Sequence, residues 1–154
     1  MPPVNLALQP EQRHLLADPA ATETLAAHIA ALARPGDAIL LEGPLGAGKT
    51  AFARAFLRAA AGDPALVVPS PSYTLVQTYP TRLGPVHHFD LWRLDGPADL
   101  AELGWTEAMG DIVLVEWPDR LGPLAPAAAL RMTFTILGEA RREVRLAGWP
   151  DRLE

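Results

Sequence analysis

The sequence contains no cysteine, which excludes disulfide staples, thiolate metal sites and thiol nucleophiles. It is also nearly without lysine: of 13 basic residues only Lys49 is a lysine, and the others are arginines. No apolar run approaches the roughly 20 residues that a membrane-crossing helix needs. The opening Met1-Pro2-Pro3-Val4-Asn5 lacks the basic start and long apolar stretch of a secretory leader. A cytoplasmic chain without membrane contact is the expectation. Positive charge is not in excess either. A formal net charge of −5 argues against a surface that grips nucleic acid through its phosphates unaided, so any nucleic acid would be held by another subunit. No internal repeat and no second domain are visible.

What is present describes a globular chain: 154 residues, 49% hydrophobic and 20% charged, enough for one domain with a buried core. Its organising stretch is Gly43-Pro44-Leu45-Gly46-Ala47-Gly48-Lys49-Thr50, which has G-x-x-x-x-G-K-[ST] spacing. The apolar run Ala38–Leu41 precedes it as a short buried strand. Ala51–Leu57 follows as a helix with Phe52, Phe56 and Leu57 on one face. Glycines let successive backbone N–H groups converge on one point, and the helix N-terminus adds partial positive charge. Lys49 would reach the β- and γ-phosphates of a nucleotide, and the Thr50 hydroxyl would hold Mg²⁺. A sole lysine placed between phosphates suits a compact ammonium where a guanidinium fits poorly.

The rest of the chain reads as alternating helices and strands. Asp18-Pro19 is an N-cap followed by a proline at the first helical position, and Ala21, Leu25, Ile29 and Leu32 form the buried face of that helix. A short strand around Val4–Leu8 is possible before it. Gly62 and Pro64 stop the helix that follows the loop. Ser70-Pro71-Ser72-Tyr73 is a stiff turn leading to a strand over Thr74–Tyr79. Ser72 and Thr74 are either ordinary turn hydroxyls or sensors of a γ-phosphate. Val86–Leu94 is a strand ending near Asp90, where a carboxylate could ligate Mg²⁺ through water. His28, His87 and His88 read as packing or surface residues, the adjacent pair pointing to opposite faces. After Asp95-Gly96-Pro97 a short helix turns Leu100 and Leu103 inward. Ile112–Val115 ends in Glu116, a Walker-B-like pattern in which the carboxylate completes a Mg²⁺ shell, orients attacking water, or merely caps a turn. Trp117 is either core or an exposed anchor for a partner. Leu130–Leu137 and Glu143–Leu146 form a terminal hairpin around Gly138-Glu139-Ala140, whose Arg141 and Arg142 are either solvated or lean on the nucleotide.

Taken in order, LEGPLGAGKTAF, SPSYTLVQTY, HHFDLWRL and LVEWP resemble the bacterial TsaE (YjeE) family. The likeness runs over about residues 18–146 of a single domain spanning 1–154. It implies an α/β P-loop NTPase fold, a mixed β-sheet flanked by helices. It implies ATP held by Gly43, Gly46, Ala47, Gly48, Lys49, Thr50 and Ala51, with Mg²⁺ at Thr50, Glu116 and Asp90. Lys49, Asp90 and Glu116 would be the catalytic set, and Ser72, Thr74 and Trp117 a switch or partner region. The implied activity is ATP hydrolysis supporting formation of threonylcarbamoyl on the adenosine next to the tRNA anticodon, with TsaD-type and TsaB-type subunits as partners. Pro44 stands where the family has aspartate, Trp92 where it has tyrosine, and Ala51 where a second hydroxyl is frequent. A small-molecule kinase would need an arginine-bearing lid that is not evident. A GTPase would need a second lysine for its guanine motif. A nucleotide-binding regulator with little turnover stays open.

Overall fold

The computed structural model describes residues 11–153. Among the described residues, seven strands form one mixed sheet in the order β1-β7-β6-β2-β5-β4-β3. They are β1 (Gln12–Leu16), β2 (Ala38–Glu42), β3 (Val76–Thr81), β4 (Gly84–Asp90), β5 (Ile112–Glu116), β6 (Leu130–Ile136) and β7 (Arg142–Ala147). The central strands β6, β2, β5 and β4 run parallel; β3, β7 and β1 add antiparallel edges.

Helices α1 (Pro19–Leu32) and α2 (Lys49–Ala61) cover one face. The Asp18 carboxylate caps α1 by accepting the Ala21 N–H at 2.9 Å, and Leu25 and Ile29 are buried, while His28 is exposed. Gly62 ends α2 in the left-handed conformation. This face joins Phe52, Phe56 and Leu57 to Ile39, Leu41, Leu114, Met132 and Val144. The opposite face packs Leu40, Phe89, Val113 and Val115 under Leu91, Leu100, Trp105 and Leu121. Those covering residues come from short pieces: a 3₁₀ helix at Pro97–Leu103, the one-turn helix α3 (Trp105–Ala108) and a 3₁₀ segment at Pro118–Leu124. Alternation along each buried strand thus serves two layers.

The outcome departs from the sequence expectations in a few elements. The possible strand at Val4–Leu8 lies outside the described residues. The observed first strand is Gln12–Leu16, which pairs with β7. The strand expected to start at Thr74 begins at Val76, because Leu75 takes a left-handed φ of 69° and breaks the extended run. The helix after Pro97 is a 3₁₀ turn with Leu100 buried and Leu103 only half-buried. Among the described residues, no helix is long and apolar enough to cross a membrane.

Candidate functional site

Strand β2 delivers the chain to the glycine-rich loop at the carboxyl end of the parallel strands, where α/β sheets bind ligands. Gly43 has φ 148°, and a Cβ there would lie 2.8 Å from the Phe134 carbonyl oxygen, so the loop can pass this close to β6 only without a side chain. Gly48 is left-handed and accepts the Phe52 N–H at 2.9 Å, which starts α2 directly at Lys49.

Lys49, Thr50, Asp90 and Glu116 converge here. The Thr50 hydroxyl donates to Glu116 Oε1 at 2.7 Å. Asp90 and Glu116 face each other in register on β4 and β5, and both carboxylates are buried. Asp90 accepts the Trp92 N–H at 3.1 Å and the Ser72 hydroxyl at 3.2 Å, and Ser72 shares a 2.8 Å hydrogen bond with Ser70. With Lys49, Thr50, Trp92 and Trp117 these groups line a cavity of about 320 Å³ that also touches Gly46, Gly48 and Ala51. Of the other predicted residues, Gly43 contributes its carbonyl to Lys49 and Ala47 is buried in the core. Thr74 does not join the group: it is exposed, and its hydroxyl accepts from the Gln77 amide.

The Lys49 ammonium donates to the Gly43 carbonyl and lies 3.2 Å from the centroid of the Trp117 ring. Burial pushes its pKa down from the ordinary lysine value, and the charges of Glu116, Asp90 and Asp119 offset part of that. Trp117 is half-buried, packed against Trp92 with ring centroids 4.4 Å apart and planes tilted by 47°, and held at φ 60°, ψ 55°. A bulky residue in that left-handed region is strained, and such strain gathers at functional sites.

Of the two readings of His88, packing holds and surface does not. His88 is fully buried and shares a 2.6 Å hydrogen bond with Glu116 Oε2. His87 does point to the other face, toward Asp111 and Thr78. Three further residues to which the sequence reading gave no site role, Leu45, Ser70 and Trp92, line the cavity.

The donor set suits Mg²⁺. Hydroxyl and carboxylate oxygens are hard ligands, and Mg²⁺ takes one or two carboxylates plus phosphate oxygens and waters, not a full protein cage. Among the described residues no group of three or more His, Asp or Glu side chains could hold a metal ion alone. On the other side of Gly46 and Gly48 a larger cavity, about 920 Å³, opens between Pro19, Thr22, Ala51, Ala55, Ala140 and Arg142. The Arg142 guanidinium donates to the Gly46 carbonyl at 3.2 Å, so the β6–β7 tip leans on the loop.

Known proteins are similar to this chain in sequence and in fold. Residues 16–144 match the family of the threonylcarbamoyl adenosine biosynthesis protein TsaE. A relative from Rickettsia felis, "tRNA threonylcarbamoyladenosine biosynthesis protein TsaE", is 36% identical over 122 residues, 79% of this chain and 71% of its own. One of the same description from Bacillus subtilis is 31% identical over 139 residues, 89% of this chain and 85% of its own. The crystal structure of Bacillus subtilis YdiB superposes with a TM-score of 0.71 at 27% identity, covering 92% of this chain and 87% of that one. The family match and the relatives agree, and the chain belongs to the TsaE family of threonylcarbamoyl adenosine biosynthesis proteins.

Proposed function

We propose that this protein is a Mg²⁺-dependent ATPase subunit of the machinery that places threonylcarbamoyl on the adenosine next to the tRNA anticodon. It would act through TsaD-type and TsaB-type partners that hold the tRNA. One observation carries the reading: the only lysine of the chain, the loop hydroxyl of Thr50 and the buried carboxylates of Asp90 and Glu116 line one cavity at the head of α2. The triphosphate would thread between the two cavities, its nucleoside end beside Ala51 and Arg142 and its γ end beside Ser72 and Trp117.

In this reading Lys49 neutralises the β- and γ-phosphates, and the α2 N-terminus contributes its N–H groups. Thr50 and Glu116 are the residues that would hold Mg²⁺, with Asp90 beside them. The ion, when bound, neutralises charge developing on the transferred phosphoryl group. Glu116 and Asp90 are also the available acceptors for a proton from an attacking water. ATP would order the Ser72–Leu75 turn before β3 and the Trp117 region into a docking face, and hydrolysis would loosen it.

The direct test measures phosphate release and tRNA modification by the complete complex with wild-type, Glu116→Gln and Thr50→Ala proteins. Both variants should lose turnover while still binding ATP without Mg²⁺. Full turnover in Glu116→Gln removes the catalytic role. Equal partner affinity with ATP, with ADP and without nucleotide removes the docking role.

A further inference from the structure

Among the described residues, four polar or charged side chains are buried: Lys49, His88, Asp90 and Glu116. Three belong to the site already described; His88 lies outside the chemistry assigned to them. We propose that His88 is a positioning residue for Glu116, holding Oε2 so that Oε1 stays turned to Thr50 and the metal side of the cavity. The inference rests on Glu116 working as described above.

Strand register creates the contact. His88 pairs with Leu114 and Asp90 pairs with Glu116 on parallel β4 and β5. His88, Asp90, Leu114 and Glu116 therefore share one sheet face, and His88 is the diagonal neighbour of Glu116. The imidazole has no exposed surface, and its Nε2 lies 2.6 Å from Oε2. An ionised carboxylate only accepts, so the shared proton sits on Nε2. Thr50 meanwhile donates to Oε1. The two oxygens are thus tied from opposite sides, and the carboxylate plane is fixed before any ligand arrives.

The other ring nitrogen supplies the second argument. His88 Nδ1 has no hydrogen-bond partner among the described residues. Burying an unpaired polar nitrogen costs stability, and an apolar side chain of similar size would avoid that cost. Packing alone therefore does not explain a histidine here; the bond to Glu116 does. Without it the carboxylate could turn onto the Lys49 ammonium, which lines the same cavity, and draw that charge away from phosphate. A neighbour that orients a metal-ligating group is worth about 10- to 100-fold in metal affinity.

The test compares His88→Leu, which fills the space without a donor, and His88→Gln, whose amide can donate to Oε2. In the complete complex, His88→Leu should raise the Mg²⁺ concentration for half-maximal ATP hydrolysis about 10- to 100-fold, leaving ATP binding in chelator unchanged. His88→Gln should restore the wild-type Mg²⁺ requirement. An unchanged requirement in His88→Leu, or equal impairment in both variants, overturns the proposal. A folding cycle with Glu116→Ala, followed by denaturant midpoint without nucleotide, gives an independent readout. His88→Leu should be less damaging when Glu116 is already truncated, and additive effects would sink the link. Should the wild-type complex show no Mg²⁺-dependent turnover, the reading of the site fails, while the folding cycle still decides the contact.

Discussion

The Lys49–Trp117 contact makes a prediction with a defined sign. An ammonium over an indole gains about 0.5–1 kcal/mol at an exposed site and about 2 kcal/mol when desolvated. Lys49 is buried, Trp117 is half-buried and the approach is 3.2 Å, so roughly 1–2 kcal/mol holds the cation on the ring. A triphosphate recruiting Lys49 must take the ammonium off that face, and the lost contact subtracts from binding. Trp117→Leu keeps an apolar group against Trp92 but removes the competitor. Metal-free ATP affinity should rise about 5- to 30-fold, the equivalent of that energy. Calorimetry in chelator measures it, with Lys49→Ala as the variant that should lose binding. Wild-type tryptophan fluorescence should change on ATP addition, because the ring loses its cation. An affinity that falls in Trp117→Leu would refute the argument and make the ring a nucleotide contact.

Three further outcomes follow from the same structure. The Lys49 ammonium is held below the ordinary lysine pKa by burial, and phosphate oxygens would raise it, so ATP binding should take up protons between the two values. Affinity should weaken as pH climbs through that window, which calorimetry in two buffers of different ionisation enthalpy checks; proton release instead would reverse the sign. Phe134→Ala should lower stability by about 3–5 kcal/mol, since that ring is buried against Phe52 beneath the glycine loop; denaturant unfolding reads it. Arg152→Ala should cost about 1–2 kcal/mol, because its guanidinium grips both Asp37 oxygens at 2.6 and 3.1 Å in a partly buried pair; no change in midpoint would make that pair inert.

What the sequence made legible was local. The glycine-rich turn, the Asp18 cap, the Gly62 stop and the strand ending in Glu116 each depend on residues within a few positions, and all stand where expected. Strand β1 was not legible, because Gln12–Leu16 carries a weak alternating pattern and forms only by pairing with β7, well over a hundred residues away. The start of β3 shifted because Leu75 turns left-handed while its carbonyl accepts the Asp90 N–H at 2.9 Å. No propensity scale contains that bond. Pro80 within β3 is tolerated for a topological reason: the strand lies at the sheet edge.

His88 shows most clearly where sequence reading stops. Its alternation with His87 follows from strand geometry alone, but which neighbour it meets depends on how β4 is registered against β5. Shifting that register by one residue would turn His88 and Asp90 away from Glu116 and toward the layer that holds Phe89 and Val115. Val86 and Phe89 of β4 are fully buried, and such a slip would put these apolar side chains on the wrong faces, so the hydrophobic layers enforce the register. The same packing therefore brings the two carboxylates and the imidazole together at the strand ends. Thr50 and Lys49 arrive from the other direction, at the first turn of α2, whose Phe52 and Phe56 lock it over that sheet face. The polar cluster is in this sense a consequence of the core: period-two burial in β4 and β5 and helical burial in α2 leave only one place for these groups to meet.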